Sequence, residues 1–187
     1  NSDHGETLYD HECWFDHHGL YDQTLHVPLI IRYPRKVPAG MRLGGYNQHK
    51  DLMPTLLHLL GIEYTFCDGV NFWPLVTGAS ASIRDHVVIG WSGWSSGPAA
   101  GRASVRDDTW NYVVDVAKEG DPELFHLPSD PAERNNVIHA HPDIADLQKS
   151  RLESVVGQPL PARMNELCDH PAPPPLAIYN QHRYRSR

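Results

Sequence analysis

Through its first 24 residues the chain keeps no lasting apolar period. Charge, histidine and glycine mix irregularly in NSDHGETLYDHECWFDHHGLYDQT, which predicts a loop. HVPLIIRYP follows, and its Leu29, Ile30 and Ile31 form a continuous apolar run bounded by prolines, the pattern of a buried strand. RKVPAGMRLGG is a Pro/Gly loop. In KDLMPTLLHLLGI the residues Met53, Leu56, Leu57 and Leu60 recur at helical spacing. Asp51 is a candidate N-cap, Pro54 falls in the first turn where a missing N–H is tolerated, and Gly61 is a natural stop. A strand followed by a helix predicts an α/β layer.

DGVNFWPLVTGASAS reads as a short irregular segment and a linker. Beyond it the period shortens. DHVVIGWS, GRASVRDD and TWNYVVDV are short strand-like runs separated by turns, the signature of an antiparallel sheet. ELFHLPSDPAERNNV is rich in turn residues, and HPDIADLQKSRLESVV brings Ile144, Leu147, Leu152 and Val155 near helical spacing. The pattern therefore predicts a helix packed on a small sheet. PAPPPL opens an extended tail. No internal repeat is present. A boundary near residue 80 divides an α/β part, 1–80, from a small α+β part, 81–160, and leaves 161–187 as the Pro-rich tail.

Composition narrows the classes. The 187 residues suffice for one domain with a core or for part of a larger one. A net charge of −7 with neutral histidine argues against a nucleic-acid partner. No apolar run is long enough to span a membrane, so no membrane partner is expected. Cys13, Cys67 and Cys168 are too few and too scattered for a disulfide framework, leaving one pair and a free thiol, or three free thiols. Localisation stays open between periplasmic, secreted and cytoplasmic.

The chemistry crowds the first 26 residues, which hold His4, His11, His17, His18 and His26. Asp3 and His4 stand side by side. At the carboxyl end of a strand both could face a cleft, and carboxylate plus imidazole is a common metal pair. Gly5 allows a tight turn and Glu6 could serve as an outer acceptor. Taken alone, SDHG is also an ordinary exposed turn. His17 and His18 could bind an anion, donate a proton or ligate a metal, and equally could be a solvated pair. His11 and Glu12 open a zincin-like spacing, but Phe15 stands where the second histidine is required. No G-x-S-x-G elbow, Walker loop or Rossmann glycine fingerprint occurs.

Taken in order, SDHGE, HHGLYDQTLHVPLIIRYP, KDLMPTLLHLLGI, DGVNFWPLVTG, SVRDDTWNYVVD and ELFHLPSDPAERNNV resemble the C-terminal half of sulfatases of the alkaline phosphatase superfamily, over roughly residues 1–156. The resemblance implies an alkaline phosphatase-like α/β core, present in part, then a small C-terminal antiparallel sheet packed with a helix. It implies a hydrolase of sulfate monoesters. Asp3 and His4 match the family's later pair of metal ligands. The expected metal is calcium, with manganese or zinc as alternatives because imidazole suits them better. His17 falls where the family carries a lysine against the sulfate, and His18 would exchange with it on a one-residue slip.

The family nucleophile is a formylglycine made within C/S-x-P-x-R, and no cysteine here begins that pattern. The resemblance therefore also implies that the nucleophile and the earlier acidic ligands lie outside this chain, and that the chain alone is inactive. A phosphonate monoester or phosphodiester hydrolase of the same superfamily, or a non-catalytic truncated paralogue, are the competing expectations. The expected substrate is a small-molecule or carbohydrate sulfate ester, with homo-oligomerisation left open. Trp91 and Trp94 in GWSGWSSGPAAG are candidates to stack on a sugar ring or to pack the sheet.

Overall fold

The computed structural model describes residues 1–12, 17, 19–92, 101–115 and 122–156. His18, Cys13, Trp94, Cys168 and the tail lie outside them, as does the Trp91 side chain. The chain divides into two compact units. One joins Asn1–Gly5 to His26–Val87; the other joins Glu6–Leu25 to the chain from Val88 onward.

In the first unit a 3-10 turn, His49–Asp51, leads directly into helix α2, Leu52–Leu60 (α1 is the single turn Asp22–Leu25). Gly61 ends α2 in the left-handed conformation, φ 69°, which only glycine adopts without strain. Gly61 N–H then bonds His58 O at 3.2 Å and Ile62 N–H bonds Leu57 O at 2.9 Å, satisfying carbonyls the helix cannot. A further short helix, α3, spans Trp73–Val76 in the segment expected to be irregular, and buries Phe72 and Leu75.

Asp51 departs from its expected role. It makes no side-chain cap on α2. Its fully buried carboxylate instead reaches back to Gln48 N–H at 2.6 Å, across to Val70 N–H at 2.8 Å, and to both guanidinium nitrogens of Arg84. Because a 3-10 turn precedes α2, the first unpaired N–H groups belong to that turn. Thr55 Oγ1 donates to Asp51 O at 2.7 Å and accepts Phe72 N–H at 3.0 Å, so loop 68–72 is tied to the start of the helix.

The expected buried strand at Leu29–Ile31 is also corrected. The segment takes no strand ladder, and Ile30 is 83% exposed. An apolar run becomes a buried strand only where neighbours pair with both its edges, and no described residue does so. Met53, Leu56 and Leu60 of α2 are likewise exposed, while Pro54 and Thr55 face inward.

The second unit is built on a four-stranded sheet in the order β1-β2-β3-β4, with β1 Val87–Ser92, β2 Gly101–Arg106, β3 Trp110–Asp115 and β4 Glu123–His126. The sequence showed ELFH only as part of a turn-rich stretch. β2 and β3 pair antiparallel with Val105 opposite Tyr112, and β3 pairs β4 with Tyr112 opposite Leu124. Opposed residues share a face. Ala103, Val105, Tyr112 and Leu124 therefore line one side, where they pack on Ala145 and Leu152 of helix α4, Pro142–Val156.

Asp107, in the β2–β3 turn, accepts Thr109 and Trp110 N–H through one oxygen and Gln148 and Arg151 of α4 through the other. That tie fixes which side of α4 faces inward: Ala145, Gln148 and Leu152 are buried, whereas Leu147 and Val155, expected on the packed face, are exposed. The other sheet face presents Asn111, Val113 and Phe125. It is covered by Leu20 and Tyr21 from the segment that carries the histidines. No described helix is long and apolar enough to cross a membrane.

Candidate functional site

Asp3 and His4 occupy an exposed turn whose backbone is pinned from two directions. His49 Nε2 donates to Ser2 O at 2.8 Å, and Ser2 Oγ donates to His4 O at 2.6 Å. His4 N–H bonds Asp3 Oδ1 at 3.1 Å. His4 Nδ1 lies 2.8 Å from Gly5 O. A carbonyl oxygen can only accept, so Nδ1 carries the proton and Nε2 holds the lone pair that a cation would use. That atom stands 3.6 Å from Asp3 Oδ2. An imidazole with its far nitrogen held by a carbonyl, beside a carboxylate, is a donor pair that fits a divalent cation.

His17 belongs to the second unit. Its Nδ1 lies 3.3 Å from Glu6 Oε1, with both side chains about half exposed. Glu6, expected as an outer acceptor, thus takes its place beside His17. His18 lies outside the described residues. His11 is not set up as a ligand. It stacks on Tyr21 with ring centroids 3.5 Å apart and an interplanar angle of 6°.

Sequence reasoning missed the groups that hold the segment after His17. Tyr21 OH donates to Glu123 Oε2 at 2.8 Å, and Asn111 Nδ2 donates to Leu20 O at 3.1 Å. Arg106 bonds Asp22 Oδ1 at 2.6 Å and Glu133 Oε1 at 2.9 Å. Glu133 has a left-handed backbone, φ 55°, and no exposed surface. The one signal was its setting in the turn-rich SDPAERNN, where a residue can adopt such a conformation. Cys67 is a free thiol.

Comparison with known proteins agrees along most of the chain. Residues 10–158 match the family described as N-sulphoglucosamine sulphohydrolase, C-terminal. The chain is 31% identical to arylsulfatase K of Xenopus laevis over 168 residues, covering 84% of this chain and 31% of that protein. It is 26% identical to an N-acetylglucosamine-6-O-sulfatase of Bacteroides thetaiotaomicron, covering 73% of this chain and 25% of that one. The chain thus spans about a third or less of the length of these curated relatives.

Among solved structures, it resembles a phosphonate monoester hydrolase of Agrobacterium radiobacter (TM-score 0.73, 27% identity, covering 85% of this chain and 34% of the other). It also resembles a protein solved in complex with its substrate D-glucosamine-2-N,6-O-disulfate (TM-score 0.72, 23% identity, covering 84% and 33%). The family match, the arylsulfatase identity and the shared α/β-plus-sheet architecture lead to one conclusion: the chain belongs to the sulfatase family and corresponds to its C-terminal portion.

Proposed function

We propose that this chain is the C-terminal portion of a hydrolase of sulfate monoesters, acting on a sulfated carbohydrate. The observation that carries the reading is the sulfatase family match over residues 10–158, which takes in His17 and the whole sheet that supports it. The carbohydrate class is supported by two relatives, one named for an N-acetylglucosamine sulfate and one solved with a glucosamine disulfate.

In this reading Asp3 and His4 contribute ligands to a divalent cation. The mixed oxygen and nitrogen donors suit manganese or zinc, while calcium would draw its remaining ligands from oxygens. A bound cation would supply Lewis-acid stabilisation of charge on the ester oxygens. Glu6 beside His17 favours the proton on Nδ1. As an imidazolium, His17 stabilises the sulfuryl oxygens, or gives its proton to the departing alkoxide. His18 is the neighbouring alternative for the same task.

A second reading, phosphonate monoester hydrolysis, is favoured by the Agrobacterium structure. Both are tested in the protein expressed from its complete reading frame, assayed in parallel on sulfate and phosphonate esters. Asp3→Ala and His17→Ala are each expected to lower sulfate-ester turnover by about 100-fold or more with the melting temperature unchanged. Near-normal turnover in both variants overturns the site. A preference for the phosphonate ester replaces the first reading with the second.

A further inference from the structure

The segment that carries His17 is tied to the small sheet by the Tyr21–Glu123 bond and by one buried carboxylate, and the geometry points to that carboxylate, Glu133, as a positioning residue for His17. The inference rests on the reading of His17 as the sulfate-contacting group.

Glu133 is wholly buried, and its carboxylate binds groups 22, 27 and 111 positions away: Oε1 accepts Asn111 Nδ2 at 2.6 Å and Arg106 Nη1 at 2.9 Å, and Oε2 accepts the backbone N–H of Asp22 at 2.7 Å. Asn111 passes the constraint on by donating to Leu20 O, and Arg106 by bonding the Asp22 carboxylate. Two peptide groups and one side chain of 20–22 are thereby fixed. Gly19 O accepts Thr24 Oγ1, which closes the turn immediately after the histidines.

Packing alone would not demand this arrangement. Leu20 and Tyr21 already supply the apolar cover for Val113 and Phe125. Apolar contact is non-directional, whereas a slide of that cover along the sheet would break directional bonds to a buried charge. Glu133 also holds a backbone conformation that non-glycine residues keep only where the surroundings over-determine it. The carboxylate therefore sets the register of the 19–24 turn, and through it the placement of His17 a few residues earlier.

The test uses the protein from its complete reading frame. Glu133→Gln keeps the side-chain shape and exchanges one acceptor for a donor. The expected result is a loss in kcat on the order of 100-fold with a small change in KM, as a displaced catalytic group gives. Backbone amides of 20–25 should exchange with solvent at least about 10-fold faster. In a His17→Ala background, Glu133→Gln should remove less than about 2-fold more, because it acts through His17. Losses that multiply in the double variant, or unchanged amide exchange, overturn the proposal.

Asp22→Asn, at a position about one-third exposed, is the second variant if Glu133→Gln does not fold, and the same non-additivity is expected of it. Wild-type turnover in His17→Ala alone sinks the sulfate-contact reading instead, and amide exchange then decides the clamp.

Discussion

Arg84 grips Asp51 with both ends of its guanidinium, and the pair is almost wholly out of water: Asp51 has no exposed side-chain surface and Arg84 keeps 13%. A fork of this kind satisfies both carboxylate oxygens while two backbone N–H groups complete the shell. Removing one partner strands the other. Asp51→Ala should destabilise the first unit by about 3–5 kcal/mol, and the double variant with Arg84→Ala by less than the sum of the two single losses. Denaturant midpoints of the four proteins check this; strict additivity would show that the two side chains are energetically independent.

The same chemistry fixes the response to acid. Burial is the largest influence on Asp51 and pushes its carboxyl up, but hydrogen bonds from Arg84, Val70 N–H and Gln48 N–H, with the Arg84 charge, outweigh it and leave it below the ordinary range. Burial likewise raises Asp107, and the N–H groups of Thr109 and Trp110 with Gln148 and Arg151 more than reverse it. A carboxylate whose folded value is depressed stabilises the fold above its unfolded value. That contribution is lost as pH falls through the folded one. Melting temperature should therefore hold between about pH 5 and 7 and drop steeply below about pH 4. Asp107→Asn should flatten part of that drop; an unchanged acid limb would show that other carboxylates govern it.

Much of this architecture was legible in the order of the sequence. The antiparallel strands, the helix over Pro142–Val156 and the glycine stop of α2 follow from period and turn chemistry, which are local. What was not legible depended on distant partners. Leu29, Ile30 and Ile31 have the composition of a core strand, yet composition cannot say which residues pair with it. Asp51 has the position of a cap, yet Arg84 lies 33 residues away and takes the carboxylate. Asp3, His4 and His17 stood out by residue type. Glu133 did not, because its role comes from a left-handed backbone inside a turn and from partners on three other segments.

Gly69 offers a steric test of the loop that Asp51 holds. A Cβ on this residue would lie 2.9 Å from Asp51 N and closer still to the Lys50 carbonyl, all of it backbone. Gly69→Ala should cost about 1–3 kcal/mol by forcing the loop off the start of α2. Gly78→Ala provides the contrast: its Cβ would meet nothing within 4 Å, so only its left-handed φ of 72° is penalised. Thermal melts of the two variants separate close approach from backbone strain, and equal losses would remove the packing explanation.

The bond from Asp22 N–H to Glu133 spans 111 positions of sequence, and this bears on when the molecule can be completed. At about 5–20 residues per second, a ribosome needs roughly 6–22 s to travel from one end of that bond to the other. Through the later part of that interval the histidine-bearing segment is outside the ribosome without the surface that will receive it. Its Leu20 and Tyr21 are open to chaperones and to wrong partners until the last turn of the sheet arrives. Slower synthesis between the two residues is thus expected to lower the yield of folded protein, read as the soluble fraction on expression.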